Sequence, residues 1–166
     1  MLNLSFFDQL EDEQKQWMTY AIAGMVGSDG VIDRKELNDL GQVLLHMESI
    51  EKAESLMTML KNKLIPRLPA IEVKDRKIAT RMIFALAKVA IVDDNLSPKE
   101  ADYLVYAGAV LNFPKDYIKE ILLWAKAQSG ANKAQTEIAR KGQSLDLHDA
   151  TLIGEYLAKV DAKAVP

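Results

Sequence analysis

The chain has 166 residues, of which 49% are apolar and 27% are charged, and its formal net charge is −3. This balance is typical of a globular protein with a sizeable core, and the lack of a basic excess disfavours nucleic acid as a partner. The absence of cysteine excludes disulfides and thiolate chemistry.

No stretch of the sequence has the form of a membrane span or of a secretory signal. The longest apolar run, from Met82 to Val92, is broken by Lys88 and is far shorter than the roughly 20 residues that a span needs. The N-terminal segment has no basic region, and acidic residues interrupt its apolar stretch early. We therefore expect a cytoplasmic protein without direct membrane insertion.

The first half of the chain has the apolar spacing of three helices, which follow a short lead-in helix over residues 4–10. The first of the three, 11–27, is apolar on nearly every side, which predicts a buried helix. Amphipathic helices are predicted over 33–47 and 50–65, because leucines and methionines recur there at intervals of three and four. A connector with two prolines follows over 66–74.

The second half repeats this order over residues 75–128. A nearly all-apolar helix runs to Val92, and the sequence Ser97-Pro98-Lys99-Glu100 then predicts a strong helix start, with serine as N-cap and glutamate at the third helical position. Another helix is predicted from Lys115 to Gln128. After that the pattern weakens, and we expect a helical extension over 129–166 that ends in a frayed tail.

An acidic turn occurs once in each half. Asp29 and Glu36 lie in SDGVIDRKEL, and Asp93 and Glu100 lie 64 residues later in VDDNLSPKEA. Further identities at the same offset include the pairs Met18 and Met82, Ala21 and Ala85, Lys35 and Lys99, and Leu40 and Leu104. We therefore predict an all-α fold, a single domain over 1–166 that forms a helical bundle from a duplicated three-helix unit (11–65 and 75–128).

Two interpretations of these turns remain open. In the first, the acids only cap helices: Asp33 and Glu36 have the spacing of a capping box, which stabilises a protein by about 1 kcal/mol. In the second, they bind a cation. Asp29, Gly30 and Glu36 match positions five, six and twelve of a calcium loop.

A standard calcium loop is excluded, because positions one and three of the first copy would be Met25 and Gly27, which offer no side-chain oxygen. Two turns could still pool their carboxylates if the fold brings them together. The four candidate ligands suit a hard divalent cation such as Ca²⁺ or Mg²⁺. They are Asp29, Glu36, Asp93 and Glu100, with Asp33, Asp94 and Asn95 nearby.

The stretches AIAGMVGSDGVIDRKELNDL and MIFALAKVAIVDDNLSPKEADYL resemble the TerB-like domains of bacterial tellurite-resistance systems, over about residues 11–128. The resemblance implies an all-α fold and a non-enzymatic role in tellurite resistance or another stress response. It also implies a metal site at Asp29, Glu36, Asp93 and Glu100. Asp94 departs from the pattern, which has glycine at that place.

The resemblance further implies protein partners, among them a membrane-embedded tellurite-resistance component at the inner face of the membrane. The alternative is a purely structural helical adaptor for protein–protein interaction without a metal. The sequence has no phosphate loop and no nucleophile motif, and His46 and His148 lack metal-ligand spacing, so we expect no enzyme activity.

Two features around the connector also have two interpretations each. The methionines of ESLMTML, Glu54 to Leu60, could line an adaptable groove, but core packing is the favoured interpretation. Basic residues outnumber acidic ones near the connector, and a solvated face is favoured over a partner site. The basic residues are Lys61, Lys63, Arg67, Lys74, Arg76 and Lys77.

Overall fold

The computed structural model describes residues 4–28, 30, 34–45, 47, 49–91, 96–127, 131–160 and 162–164. This part of the chain is mostly helical, as predicted. A 3-10 helix over Leu4–Gln9 precedes α1 (Asp12–Gly27), α2 (Arg34–Leu44), α3 (Ile50–Lys61), α4 (Arg76–Ala90), α5 (Pro98–Val110), α6 (Lys115–Lys126), α7 (Ala131–Gly142) and α8 (Ala150–Val160). Two short strands, β1 (Pro66–Arg67) and β2 (Lys163–Ala164), pair in parallel.

The helix starts follow local capping chemistry. The Ser97 hydroxyl accepts from the Glu100 N–H, and the Glu100 side chain accepts from the Ser97 N–H, so α5 begins with the predicted capping box. The carboxylate of Asp75 caps α4 by accepting from the Lys77 N–H at 2.9 Å. These bonds satisfy N–H groups that have no partner within the helix.

The core forms around α1 and α4, which pack against each other. Both helices are buried over most of their length, Trp17 to Val26 in α1 and Met82 to Ala87 in α4. Helix α1 also packs on α2, α3 and α5, while α4 also packs on α5, α6 and α7. Such central positions explain why both sequences are apolar on nearly every side.

Helix α3 ends at Lys61, four residues before the predicted end. Lys63 adopts a left-handed conformation (φ 57°), and the Leu64 N–H donates to the Met59 carbonyl at 2.9 Å. This closing bond terminates the helix as a Schellman motif does. The apolar spacing continues past Lys61 because Leu64 and Ile65 still face inward, so periodicity alone overestimates the helix.

The connector is extended and is tied to the helices by side chains. The indole N–H of Trp17 donates to the Pro69 carbonyl at 3.0 Å, and the Leu68 N–H donates to the Tyr106 hydroxyl at 2.7 Å. The prediction of a frayed tail is wrong for Lys163 and Ala164, because these residues pair with Pro66 and Arg67. Among the described residues, no helix is both long and apolar enough to cross a membrane.

Candidate functional site

The four predicted ligands differ in how far the structure describes them. Asp29 and Asp93 lie outside the described residues, as do Asp33, Asp94 and Asn95. Glu36 lies in the first turn of α2, at the same third helical position that Glu100 occupies in α5, but its side chain is not among those described. Glu100 is described in full.

Glu100 is a buried carboxylate, with only 3% of the residue exposed. Its Oε1 accepts from the Ser97 N–H at 3.0 Å, and its own N–H donates to the Ser97 Oγ at 3.1 Å. The positive end of the α5 dipole also favours a negative charge there. A carboxylate oxygen has more than one lone pair, so capping a helix does not prevent Glu100 from binding a cation as well.

The end of α1 forms a tight turn at the first acidic motif. The Ser28 hydroxyl is buried and donates to the Met25 carbonyl at 2.9 Å. Gly30 has a φ of 77° and donates to the Gly27 carbonyl at 3.2 Å. This left-handed conformation suits glycine, which accounts for Gly30 directly after Asp29.

Contacts of two tyrosines link α5 to the connector and to α1. Tyr106 and Trp17 bind adjacent residues of the connector, Leu68 and Pro69. Tyr103 packs against Gly24, in the last turn of α1. The first half of α5 therefore contacts the end of α1.

The contact between Gly24 and Tyr103 lies near both acidic motifs along the chain. Glu100 lies one helical turn before Tyr103 in α5. Gly24 lies one turn before Gly27, where α1 ends and leads into Asp29. The last turn of α1 thus contacts a residue that is one turn from Glu100.

Removing the cap while keeping the Glu100 carboxylate separates the capping role of this turn from its predicted role in cation binding. Ser97→Ala deletes the oxygen that accepts from the Glu100 N–H, so we expect a loss of about 1 kcal/mol in the free energy of unfolding. Urea denaturation without divalent ions measures the loss. Ser97→Thr keeps the hydroxyl and should stay within about 0.5 kcal/mol of the parent. Equal losses for both substitutions would show that the hydroxyl does not act as a cap.

A second candidate site, a groove of about 790 Å³, lies where the connector passes α5 and α8. Leu68, Ile71, Tyr106, Val110 and Ile153 form much of its apolar wall. The sequence does not predict this groove, because the groove depends on long-range packing of the connector. The two prolines of the connector were the only signal of an extended segment there.

The polar groups of this groove carry both signs of charge. Arg67, Glu13 and Glu72 line it, as does His148, whose ring Nδ1 is 3.1 Å from the Asn112 Oδ1. Burial raises the pKa of the Tyr106 hydroxyl above its ordinary value. The volume is within the range of small-molecule and peptide sites. His148 is exposed, and His46 lies outside the described residues.

Among the described residues, no three His, Asp or Glu side chains are grouped closely enough to hold a metal ion. The side chains of Asp29, Glu36 and Asp93 are not among those described, so metal binding stays a prediction. A scan of protein-family models and searches of curated proteins and of solved structures found no match for this chain. The TerB-like resemblance therefore also stays a prediction.

Proposed function

We propose that this protein is a non-enzymatic, TerB-like component of tellurite resistance or a related stress response. In this proposal it binds a divalent cation through Asp29, Glu36, Asp93 and Glu100 and acts with protein partners, among them a membrane-embedded component at the inner membrane face. The observation that carries the proposal is the buried carboxylate of Glu100, one helical turn from Tyr103, which contacts the last turn of α1 before Asp29.

The helix boundaries support a duplicated unit. Helices α1 and α4 begin 64 residues apart, at Asp12 and Arg76, and so do α2 and α5, at Arg34 and Pro98. Helices α3 and α6 begin at nearly the same offset, and α1 packs on α2 and α3 as α4 packs on α5 and α6. A duplicated unit would give each half one acidic helix start.

The donor chemistry favours Ca²⁺ or Mg²⁺. Both are hard cations that prefer carboxylate and carbonyl oxygens, and the two motifs offer carboxylates without sulfur or imidazole. The four carboxylates together carry a charge of −4, so keeping them close without a cation would be unfavourable, and a divalent cation would offset half of that charge. Cation binding should therefore stabilise the fold.

The double substitution Glu36→Gln with Glu100→Gln tests this proposal. Glutamine at the third helical position can still complete a capping box, so the change removes charge while keeping the cap. With the parent protein, Ca²⁺ or Mg²⁺ at about 100 times its Kd should add about 2.7 kcal/mol of stability and raise Tm by roughly 5–10 °C. The double variant should show no rise in differential scanning calorimetry.

The matched control is Glu51→Gln with Glu137→Gln, which removes two exposed carboxylates on other helices. It should keep the full rise in Tm. A parent protein whose Tm does not respond to millimolar divalent ions would rule out the cation site. An equal response in the parent and in Glu36→Gln with Glu100→Gln would rule out these residues as ligands.

The second candidate function is a helical adaptor that binds a protein partner without a metal. The groove along the connector favours this adaptor function, because peptides commonly bind beside an extended segment that borders an apolar surface. In this case divalent ions leave Tm unchanged, and Arg67→Glu on the groove rim weakens partner binding. The calorimetric experiment thus separates the two candidates.

A further inference from the structure

Helix α3 buries one apolar face in the core, and a neighbouring apolar strip is only partly covered. Leu56, Met59 and Leu60 are buried. Ile50 and Met57 lie on the neighbouring strip, where they line a groove of about 570 Å³ between α2 and α3. Core packing, the favoured interpretation of the methionines, thus holds for Met59, and Met57 packs partly against the core while it also lines the groove.

The rim of this groove, which we call the α2–α3 face, carries the most exposed large apolar residues among those described. Leu45 is 85% exposed and Ile50 is 78% exposed. Leu44, Met47 and Ala53 add further apolar surface beside them. Single exposed apolar residues are ordinary, but a contiguous group around a groove indicates an interaction surface.

The corresponding region of the second half is closed. The residues 64 positions after Leu45, Met47, Ala53 and Met57 are all buried. They are Ala109, Leu111, Tyr117 and Ile121. There, Gly108 lets α5 approach Ile118 of α6 directly, and Gly142 of α7 packs on Tyr117. This comparison rests on the duplication proposed above. In the second half the region is covered, whereas no described element covers the α2–α3 face of the first half in the same way.

Charge on the α2–α3 face indicates what would cover it. Glu54 and Lys61 line the groove on either side of Met57, seven residues apart and therefore about two helical turns from each other. No ion pair between described residues involves either side chain. If a second α3 lay antiparallel across this one, with Met57 at the two-fold axis, each Glu54 would face the Lys61 of the other helix.

We propose that the α2–α3 face binds the same face of a second copy of this chain, with the two α3 helices antiparallel. The face is self-complementary in charge, and in this arrangement the exposed Ile50 of each copy lies near the Lys61 end of the other copy's α3, where its apolar surface can be covered. A symmetric dimer requires such a self-complementary patch. One helix and its rim make a small interface, so dimerisation should be reversible and concentration-dependent.

Sedimentation velocity of the full chain, from low micromolar concentration to the solubility limit, tests the dimer. The parent protein should shift reversibly from the mass of one chain to that of two. Met57→Glu should keep the protein monomeric, because it places a carboxylate of each copy at the axis. Leu123→Glu, at an apolar residue on α6 that is 67% exposed, should leave the shift unchanged.

Charge reversal tests the antiparallel geometry. Glu54→Lys or Lys61→Glu alone replaces two attractive pairs with two repulsive ones, and each should weaken dimerisation about tenfold or more. An equimolar mixture of these two variants should dimerise again, since each lysine then faces a glutamate. The chain that carries both reversals should also dimerise. Glu51→Lys, on an exposed residue outside the groove, is the control.

A parent protein that remains monomeric up to its solubility limit would overturn the proposal. The proposal also fails if Leu123→Glu abolishes the shift as well as Met57→Glu does. A mixture of Glu54→Lys and Lys61→Glu that stays monomeric while the parent dimerises would overturn the antiparallel pairing. None of these outcomes depends on divalent ions, so failure here is distinct from failure of the cation site.

Discussion

Gly24→Ala should lower the free energy of unfolding by about 3 kcal/mol, although alanine is the better helix former. A Cβ at this position would overlap the Tyr103 hydroxyl and ring carbons, and Tyr103 is fully buried. The ring has no space to retreat without opening a cavity elsewhere in the core. Urea denaturation would measure the loss against the parent.

Gly154→Ala on α8 is the matched control, because a Cβ there meets no atom within 4 Å. It should stabilise the protein by about 0.5–1 kcal/mol, the ordinary gain from replacing glycine inside a helix. A similar gain from Gly24→Ala would contradict the close contact between α1 and α5. That contact also brings the last turn of α1 against a residue one helical turn from Glu100.

A compensating substitution sharpens this prediction. The Tyr103 hydroxyl has no hydrogen-bond partner among the described residues, so Tyr103→Phe alone should cost little. Combined with Gly24→Ala it should recover part of the lost stability, since one of the overlapping atoms is removed. Simple additivity of the two changes would show that the residues are not in contact.

The helix order and the start of α5 could be predicted because they depend on nearby residues. The buried character of α1 follows from its apolar run, and the capping box needs only Ser97, Pro98 and Glu100. A repeated pattern predicts the residues of the candidate cation site, but it does not predict where these residues lie in the fold. Sequence spacing alone does not tell on which side of the bundle α5 begins.

The features that sequence analysis missed depend on long-range contacts. Tyr106 and Leu68 are 38 residues apart, and their hydrogen bond builds one wall of the groove beside the connector. Lys163 and Ala164 resemble a frayed tail in the sequence, yet they pair with β1. The sequence favours a solvated face for Arg76 and the other basic residues near the connector, whereas the side chain of Arg76 is only 11% exposed.

Arg76→Met should be the second strongly destabilising change, at about 3 kcal/mol. The guanidinium donates to the carbonyls of Val73 (3.1 Å), Leu111 (2.7 Å) and Leu145 (2.9 Å). It also lies over the Phe113 ring, 4.5 Å from the centroid. One side chain thus joins the connector, the end of α5 and the segment before α8, and methionine keeps the bulk without any of these hydrogen bonds.

The geometry of the guanidinium, rather than its charge, should explain most of this effect. Asp146 is 66% exposed and lies 4.0 Å from Arg76, so that ion pair contributes little. Lysine cannot reach three carbonyls with a planar group, and Arg76→Lys should therefore recover less than half of the loss. Denaturation in urea gives the stability, and hydrogen exchange around Leu145 reports whether this segment detaches first.

Arg81→Met on the exposed side of α4 is the matched control. Arg81 is exposed, and its described hydrogen bond goes to the Gln9 side chain, so the change should stay within about 0.5 kcal/mol. If Arg76→Met were no more costly than Arg81→Met, the three carbonyl bonds would not hold the segment in solution. Full recovery by lysine would instead assign the effect to charge, through the carbonyl end of α5.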